Sequence, residues 1–387
     1  MKTKNVIALG ARYNDFSAMM QEVFLPLAAR HLRKQTPTLN TVHLDTASDV
    51  QSVGDQISVE LPYKLAPMER LANGQASTPD VLNANKVSMK VDTNGAKDIS
   101  ITHREFVTHA SNNTLPGAIT AAIDAIAEGI NEDVLKMVLK STYNVEGGVT
   151  GNARNKADVI AARKRLNQLK APQSDRFLAL TSESEADLLN VLSNAAETGN
   201  TNAYEGQIGR LFKFDVFADL GMDDIYIAGD AGTEYAVSGA HAAGSNTIAV
   251  TTAGATGFKV GDSVSFAGVS GQYVVQEDLS ASGELVIFPS LAEAVADTAV
   301  VTALAEHRVD VAYHKSAYGI AFRALEAPQY DSAQGVQIYS YTDPVTGIPM
   351  RVMSWIDGPT GTTRWKFEVL YGCKAIRPEL ATRALGQ

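Results

Sequence analysis

At 387 residues the chain is longer than a single hydrophobic core supports, so two or three domains are expected. Its 45% hydrophobic and 20% charged residues exclude an intrinsically disordered chain, and no apolar run reaches the ~18 residues of a membrane span. A net charge of −10 excludes a general nucleic-acid binder, and the single cysteine, Cys373, excludes a disulfide framework or a multi-cysteine metal site.

The N-terminus holds two lysines and a weak apolar patch, but reaches Arg12 and Asp15 too soon for a secretory signal. With the cysteine usage this points to folding in a reducing cytoplasm. Residues 11–34 read as a helix, with Phe16, Met19, Met20, Val23, Phe24 and Leu27 on one broad face and Pro26 as a kink or restart. Its basic end, around Arg30, Arg33 and Lys34, is either a solvated face or a docking surface for an acidic or helical partner. From 36 to 113 the character changes, and the runs 56–61 (QISVEL), 86–91 (KVSMKV) and 98–104 (DISITHR) alternate as strands do. Between the first two, 62–85 contains three prolines, Gly74 and few large apolar residues. A span of that length without its own core is disordered or shaped by something outside it. Two strands carrying such a tip make a long projecting hairpin.

Residues 114–142 carry the strongest periodic signal. Ile119, Ile123, Ile126, Ile130, Val134 and Val138 form one helical stripe, which Leu135 and Leu139 widen. Asp124, Glu128, Glu132 and Lys136 take the other face, with Glu132 spaced to pair with Lys136. Asn113 and Thr114 ahead of Pro116 suit a helix start. Such a helix is roughly 40 Å long. It is either packed on its own domain's core or a backbone crossing a flat, extended subunit.

After a turn-rich break at 147–155, a helix over 156–170 faces inward with Val159, Ala162, Leu166 and Leu169. Its other face carries a second basic cluster, Arg163, Lys164, Arg165 and Lys170. A strand at 177–180 follows, then a helix through Leu188, Leu189 and Leu192 opened by a capping box of Ser182 and Glu185. Strands at 206–217 and 224–228 complete a compact α/β layer. Across 234–306 helical periodicity disappears. Strands at 247–251, 262–266, 271–276, 284–289 and 298–303, spaced by Gly254, Gly257, Gly261, Gly268 and Gly283, predict a small barrel or sandwich. The α/β character returns with a strand at 308–311 and a helix at 315–323, so the β segment reads as an inserted domain. The last part is a meander of strands at 336–341, 348–356 and 364–371. Trp365, Phe367, Val369 and Tyr371 form its buried face, and Arg364, Lys366 and Glu368 its wet one.

Nothing in the sequence assembles a catalytic site. There is no GxSxG elbow, P-loop, GxGxxG or HExxH, and the seven histidines never fall at a helical metal-ligand spacing. Asp219, Asp223 and Asp224 lack a calcium-loop pattern, and Cys373 has Lys374 beside it but no candidate base. No catalytic residue, cofactor or metal is assigned.

Residues 258–269 (FKVGDSVSFAGV), with 370–379 (LYGCKAIRPE), 312–325 (AYHKSAYGIAFRAL) and 206–217, resemble the major capsid (coat) proteins of tailed bacteriophages. The nearest branch is that of the short-tailed Salmonella phages, whose coat carries an inserted β-barrel domain. The resemblance implies an α+β chain with the tailed-phage major capsid fold. Residues 1–40 would be an N-terminal arm and 45–105 an extended β-hairpin loop. Residues 106–149 and 336–387 would form a peripheral domain with its β-sheet and with 114–142 as spine helix. Residues 150–233 and 307–335 would be the central α/β domain and 234–306 the inserted barrel. It further implies a non-enzymatic subunit that self-assembles, as hexamers and pentamers, into an icosahedral head enclosing double-stranded DNA. Its partners would be a scaffolding protein, separate because no long N-terminal segment could serve, a portal protein and non-specifically packaged DNA, with no membrane. Assembly would take place in the host bacterial cytoplasm and the product would be a virion. Inter-subunit contacts are expected at Lys64, Glu69, Arg70 and Asp80 of the loop and at Arg30 and Arg33 of the arm. Two other readings are a different phage or surface-layer structural protein, and a hydrolase with an added β carbohydrate-binding domain. The hydrolase needs an acid pair or a triad that the sequence does not place.

Overall fold

The computed structural model describes residues 37–51, 54–61, 68–70, 79, 86–102, 115–146, 154–194, 209–222, 235–252, 257–280, 282–304, 308–325, 336–343 and 347–386. The expected helix at 11–34, the strand at 224–228 and most of the 62–85 tip lie outside the described residues.

A 3-10 turn at Pro37–Asn40 leads into β1 (His43–Gln51), β2 (Asp55–Glu60), β3 (Lys86–Val91) and β4 (Thr93–Thr102). β1 has only two large apolar residues, Leu44 and Val50, and no alternation. Its extended state comes from parallel pairing with a later strand, which local sequence does not reveal. Helix α1 (Leu115–Ser141) follows, and every residue of the predicted stripe is buried. Next come β5 (Val145–Glu146), α2 (Lys156–Gln168), β6 (Arg176–Leu180), α3 (Ser182–Asn194), β7 (Arg210–Leu211) and β8 (Phe214–Ala218). Asn155 caps α2, accepting from the amides of Ala157 and Asp158, and Asp158 closes the box in return.

Two local expectations are corrected here. The cap of α3 is Thr181, whose hydroxyl accepts from the Ser184 amide (3.4 Å), while Ser182 is already helical. The strand expected at 206–217 is a tight hairpin, because Phe212 (φ 47°) and Lys213 (φ 69°) both turn left-handed and fold β7 onto β8. Positive φ at both central residues gives the strand ends their usual right-handed twist, but neither residue type advertises it.

Strands β9 (Tyr235–Val237), β10 (Thr247–Thr252), β11 (Ser263–Phe266), β12 (Tyr273–Val275), β13 (Gly283–Phe288) and β14 (Val300–Ala303) close into a barrel, in the order β10-β13-β12-β11-β14-β9. All its pairings are antiparallel, and its core of Tyr235, Phe258, Phe266, Tyr273, Leu285, Ile287 and their neighbours is a cluster of its own. Closure removes the sheet edges that short Val-rich strands would otherwise expose. The chain enters through β9 and leaves through its neighbour β14, which is why the segment can be inserted without separating its flanks.

Then come β15 (Arg308–His314), a 3-10 turn at Lys315–Ala317 and β16 (Tyr318–Leu325). The helix expected at 315–323 is thus a strand. Residues 318–323 are buried on both faces, so the apolar run has no period of two to distinguish it from helix. Finally β17 (Gln337–Thr342), β18 (Pro349–Asp357) and β19 (Thr362–Ala375) form the predicted meander, and β20 (Ala381–Gly386) ends the chain.

Two sheets organise the rest of the molecule. One runs β1-β16-β19-β18-β17, with β4 also paired to the long β19. The other runs β5-β20-β15-β6-β8-β7. α1 packs on β4 and β19 along its length and touches β12 of the barrel, while α2 covers β20, β5 and β15. A fully buried ion pair, Arg154–Asp310, fixes the second sheet. Asp310 also accepts from the Thr181 amide (2.9 Å), and Arg154 donates to the Ala384 carbonyl (2.9 Å), so the starts of α2 and α3 are held to β15 and β20. The architecture is α+β with few helices and a β-barrel.

Candidate functional site

Among the described residues, chemistry is absent where the sequence offered it. No group of three His, Cys, Asp or Glu residues is placed to hold a metal ion. Asp219 is buried and engaged, accepting from Asn131 Nδ2 (2.9 Å) and the Gly221 amide (2.9 Å), while Asp223 and Asp224 lie outside the described residues. Burial, with Asp133 nearby, pushes the Cys373 thiol up to about 11, the opposite of an activated nucleophile. An open depression is lined by Gln173, Ser174, Arg210 and Lys213. There Lys213 donates to Gln173 (3.1 Å) and Arg210 faces Asp215 (3.4 Å), so its polar groups already serve one another.

What the described residues do present is a two-stranded ribbon seated on the first sheet. β2 and β3 pair with each other in a two-stranded sheet, from Asp55↔Val91 to Glu60↔Lys86. At the root, Met89 and Val91 are buried against Ala321 and Leu370, on the face of the first sheet opposite Trp365 and Phe367. Backbone lies directly on backbone there. A Cβ on Gly372 would stand 1.9 Å from the Lys90 carbonyl oxygen, so only glycine lets the ribbon seat. Lys374 adds a hydrogen bond to the Ser88 carbonyl (2.6 Å). At the other end the exposed Lys86–Glu60 pair (3.1 Å) closes the ladder. Beyond it Met68 is 82% exposed, and Glu69, Arg70 and Pro79 are exposed too. A lone two-stranded ribbon is marginal in water, so it depends on this seating, to which the partly buried Ile57 and Val59 also contribute.

The second feature is a rigid seat for the barrel at the C-terminal end of α1. The Arg383 guanidinium, fully buried, donates to the carbonyls of Leu139 in the last turn of α1 and Gly261 of the barrel (2.8 Å to Gly261). A cation suits that helix end, where carbonyls lack partners. Burial nevertheless pulls its pKa down to about 10. Gln276 of the barrel donates to the Lys140 carbonyl (2.6 Å), and the rings of Tyr143 and Phe288 meet edge to face at 6.0 Å.

The third is the face of β19 expected to be wet. Glu368 is 1% exposed, and it accepts from Arg351 Nε (2.8 Å) and faces Lys366 Nζ (2.5 Å). Burial alone would raise its pKa, but hydrogen bonds from Lys366 and Arg351 outweigh it and hold the carboxyl below the usual range. The expectation of a solvated face is corrected at this point: the middle of β19 is buried there, and Glu368 is held between Arg351 and Lys366.

Of the predicted inter-subunit residues, Glu69 and Arg70 lie on the exposed stretch beyond the ribbon, while Arg30, Arg33, Lys64 and Asp80 lie outside the described residues. Sequence reasoning missed Gly372 and Arg383. Neither carries a local signal, since each matters through a segment more than a hundred residues away.

No protein-family model matches the sequence, and no curated protein does either. Among solved structures the fold is similar to one of Mycobacterium phage Che8, at 14% identity and a TM-score of 0.45, over 86% of this chain and 84% of that one. It is also similar to the capsid of Cyanophage P-SCSP1u, at 12% identity and a TM-score of 0.44, over 90% and 87% of the two chains. A third is the capsid of Ralstonia phage GP4, at 9% identity and a TM-score of 0.45, over 90% of this chain and 87% of that one.

Proposed function

We propose that this chain is a shell subunit, a structural protein of a tailed-phage head whose stable form is a closed lattice of copies. The observation that carries the reading is the ribbon of β2 and β3. Its root is anchored with the precision of a Gly372–Lys90 backbone contact, while the stretch joining its strands exposes Met68, Glu69 and Arg70. Anchoring of that quality under an outlying limb makes sense when the limb is buried on a neighbour. The 27-residue α1 beneath the first sheet and the barrel seated on its end give a long stiff body for such a limb to extend from. The sequence resemblance to capsid proteins agrees with these features.

In this reading 1–40 is the N-terminal arm, 45–105 the extended loop, and α1 the spine of a peripheral domain of 106–149 and 336–387. Residues 150–233 and 307–335 face the capsomer axis, and 234–306 is the inserted barrel. Hexamers and pentamers build an icosahedral head around double-stranded DNA, with a scaffolding protein and a portal as partners and assembly in the host bacterial cytoplasm. Contacts through Lys64, Glu69, Arg70, Asp80, Arg30 and Arg33 belong to this proposal. The net charge of −10 fits a container that holds nucleic acid without gripping its phosphates. The hydrolase alternative finds no support in the arrangement of the described acids. The test is electron microscopy and sedimentation of the protein expressed with the neighbouring head genes. Closed shells or polyheads are expected; a compact monomer under all conditions overturns the reading.

A further inference from the structure

Besides α1, which carries the chain from β4 to β5, two short chain crossings join the two sheets, and these lie side by side. One is the 3-10 turn Lys315–Ala317 between β15 and β16, and the other is the segment 376–380 between β19 and β20. They are pinned together at one atom: the Ala317 carbonyl accepts from the amides of both Ile376 and Arg377 (2.9 Å each). The turn itself is held by His314, only 7% exposed, whose Nδ1 accepts from the Ser316 amide (3.1 Å). An accepting Nδ1 means a neutral ring with its proton on Nε2. Charged groups of both signs reach that ring. From the β6 side come Asp175, whose carbonyl accepts from Lys315 (3.0 Å), and Arg176, which is buried and hydrogen-bonded to the carbonyls of Pro172 (2.7 Å) and Ala171 (2.8 Å). From the second crossing comes Arg377, paired with Glu379 (2.9 Å). Arg163 of α2 adds to the positive field at Arg176.

We propose that this joint is an acid-sensitive hinge: a solvent proton taken up at Nδ1 of His314 abolishes the acceptor that holds the turn and loosens the two crossings. Burial disfavours the charged ring most, Asp175 favours it and Arg176 and Arg377 oppose it, and the balance leaves its pKa below the ordinary imidazole value. A depressed folded-state pKa leaves the joint at full strength above the ordinary value of 6.5 and weakens it as pH falls through the folded one. If the chain builds a shell, the loosening acts inside each subunit where its two sheets meet; that consequence rests on the proposed function, whereas the hinge does not.

The experiment is amide hydrogen exchange of the wild-type chain and His314→Asn at pH 7.5 and 5.5, each rate divided by its intrinsic value. Asn keeps an oxygen to cap Ser316 but does not titrate. Wild type is expected to lose protection severalfold at 314–319 and 375–381 on acidification, with His314→Asn unchanged. Equal losses in both chains, or none in wild type, overturn the hinge. Deuterium uptake at the imidazole C2 of wild-type His314 supplies a readout that needs no variant. A midpoint below 6.5 is expected, and one at or above it overturns the proposal. Both readouts work on free subunits, so failure of the hinge and absence of shells are separate results.

Discussion

Three residues show how sharply the packing depends on single atoms. At Gly372 the obstruction to a side chain is the Lys90 carbonyl, a piece of backbone that cannot rotate aside. Gly372→Ala is therefore expected to lift the ribbon, at a cost of about 1–3 kcal/mol. Urea unfolding, with protease cleavage between 52 and 92 as a local reporter, measures both effects. Glu368 is held ionised by Arg351 and Lys366 inside the sheet. Because its folded pKa is depressed, its contribution is complete above the ordinary carboxyl value of 4.5 and disappears as pH falls through the folded one. Glu368→Gln leaves the largely covered Arg351 without its counter-charge and should cost about 2–4 kcal/mol at pH 7. The gap from wild type should narrow on acidification, and denaturation midpoints at pH 7, 5 and 3.5 check the slope. Arg383 differs in kind, since it satisfies carbonyls and not a carboxylate. It was invisible in the sequence because the helix end and barrel turn it serves are brought to it only by folding.

At the scale of elements, burial decides what matters on α1. Ile130 lies at the middle of the buried stripe, and Ile130→Ala should cost about 2–5 kcal/mol. The Glu132–Lys136 pair on the same helix was predicted and is present at 2.6 Å, yet both side chains are more than half exposed. Removing Glu132 should change stability by less than about 0.5 kcal/mol, the usual value of a solvated pair. The contrast is read by chemical denaturation of the two variants side by side. The β7–β8 hairpin carries the reverse opportunity. Lys213 holds a left-handed φ of 69° that glycine adopts without strain, so Lys213→Gly is expected to gain about 0.5–1 kcal/mol. This hairpin was read as one strand because the turn is made by Phe and Lys, which carry no turn signature. β16 was read as a helix for a related reason, its residues being buried on both sides and so stripped of alternation.

For the whole molecule, the barrel and the body divide the apolar core between them. The barrel's cluster is separate, and its entry and exit strands are paired. Residues 234–306 expressed alone are expected to unfold cooperatively, as a closed barrel with its own core should. Circular dichroism through a thermal scan tests this, and a featureless spectrum refutes it. The body, by contrast, is stitched by long-range links: β1 on β16, β4 on β19, and Arg154 on Asp310. Its folding should lag behind the barrel's, since distant pairings must close large loops first.

The chain's own pattern determined α1, α2, α3, the β2–β3 ribbon, the meander and a run of short β strands at 234–306, because each announces itself in spacing or turn residues within a few dozen positions. It also determined that no familiar catalytic motif is present. Tertiary structure alone decided that β1 is a strand, that β16 is not a helix, that Glu368 is buried, and that Gly372, Arg383 and His314 sit at the joints. Those outcomes depend on partners far away in sequence, and local periodicity carries no record of which distant surface will arrive to cover a residue.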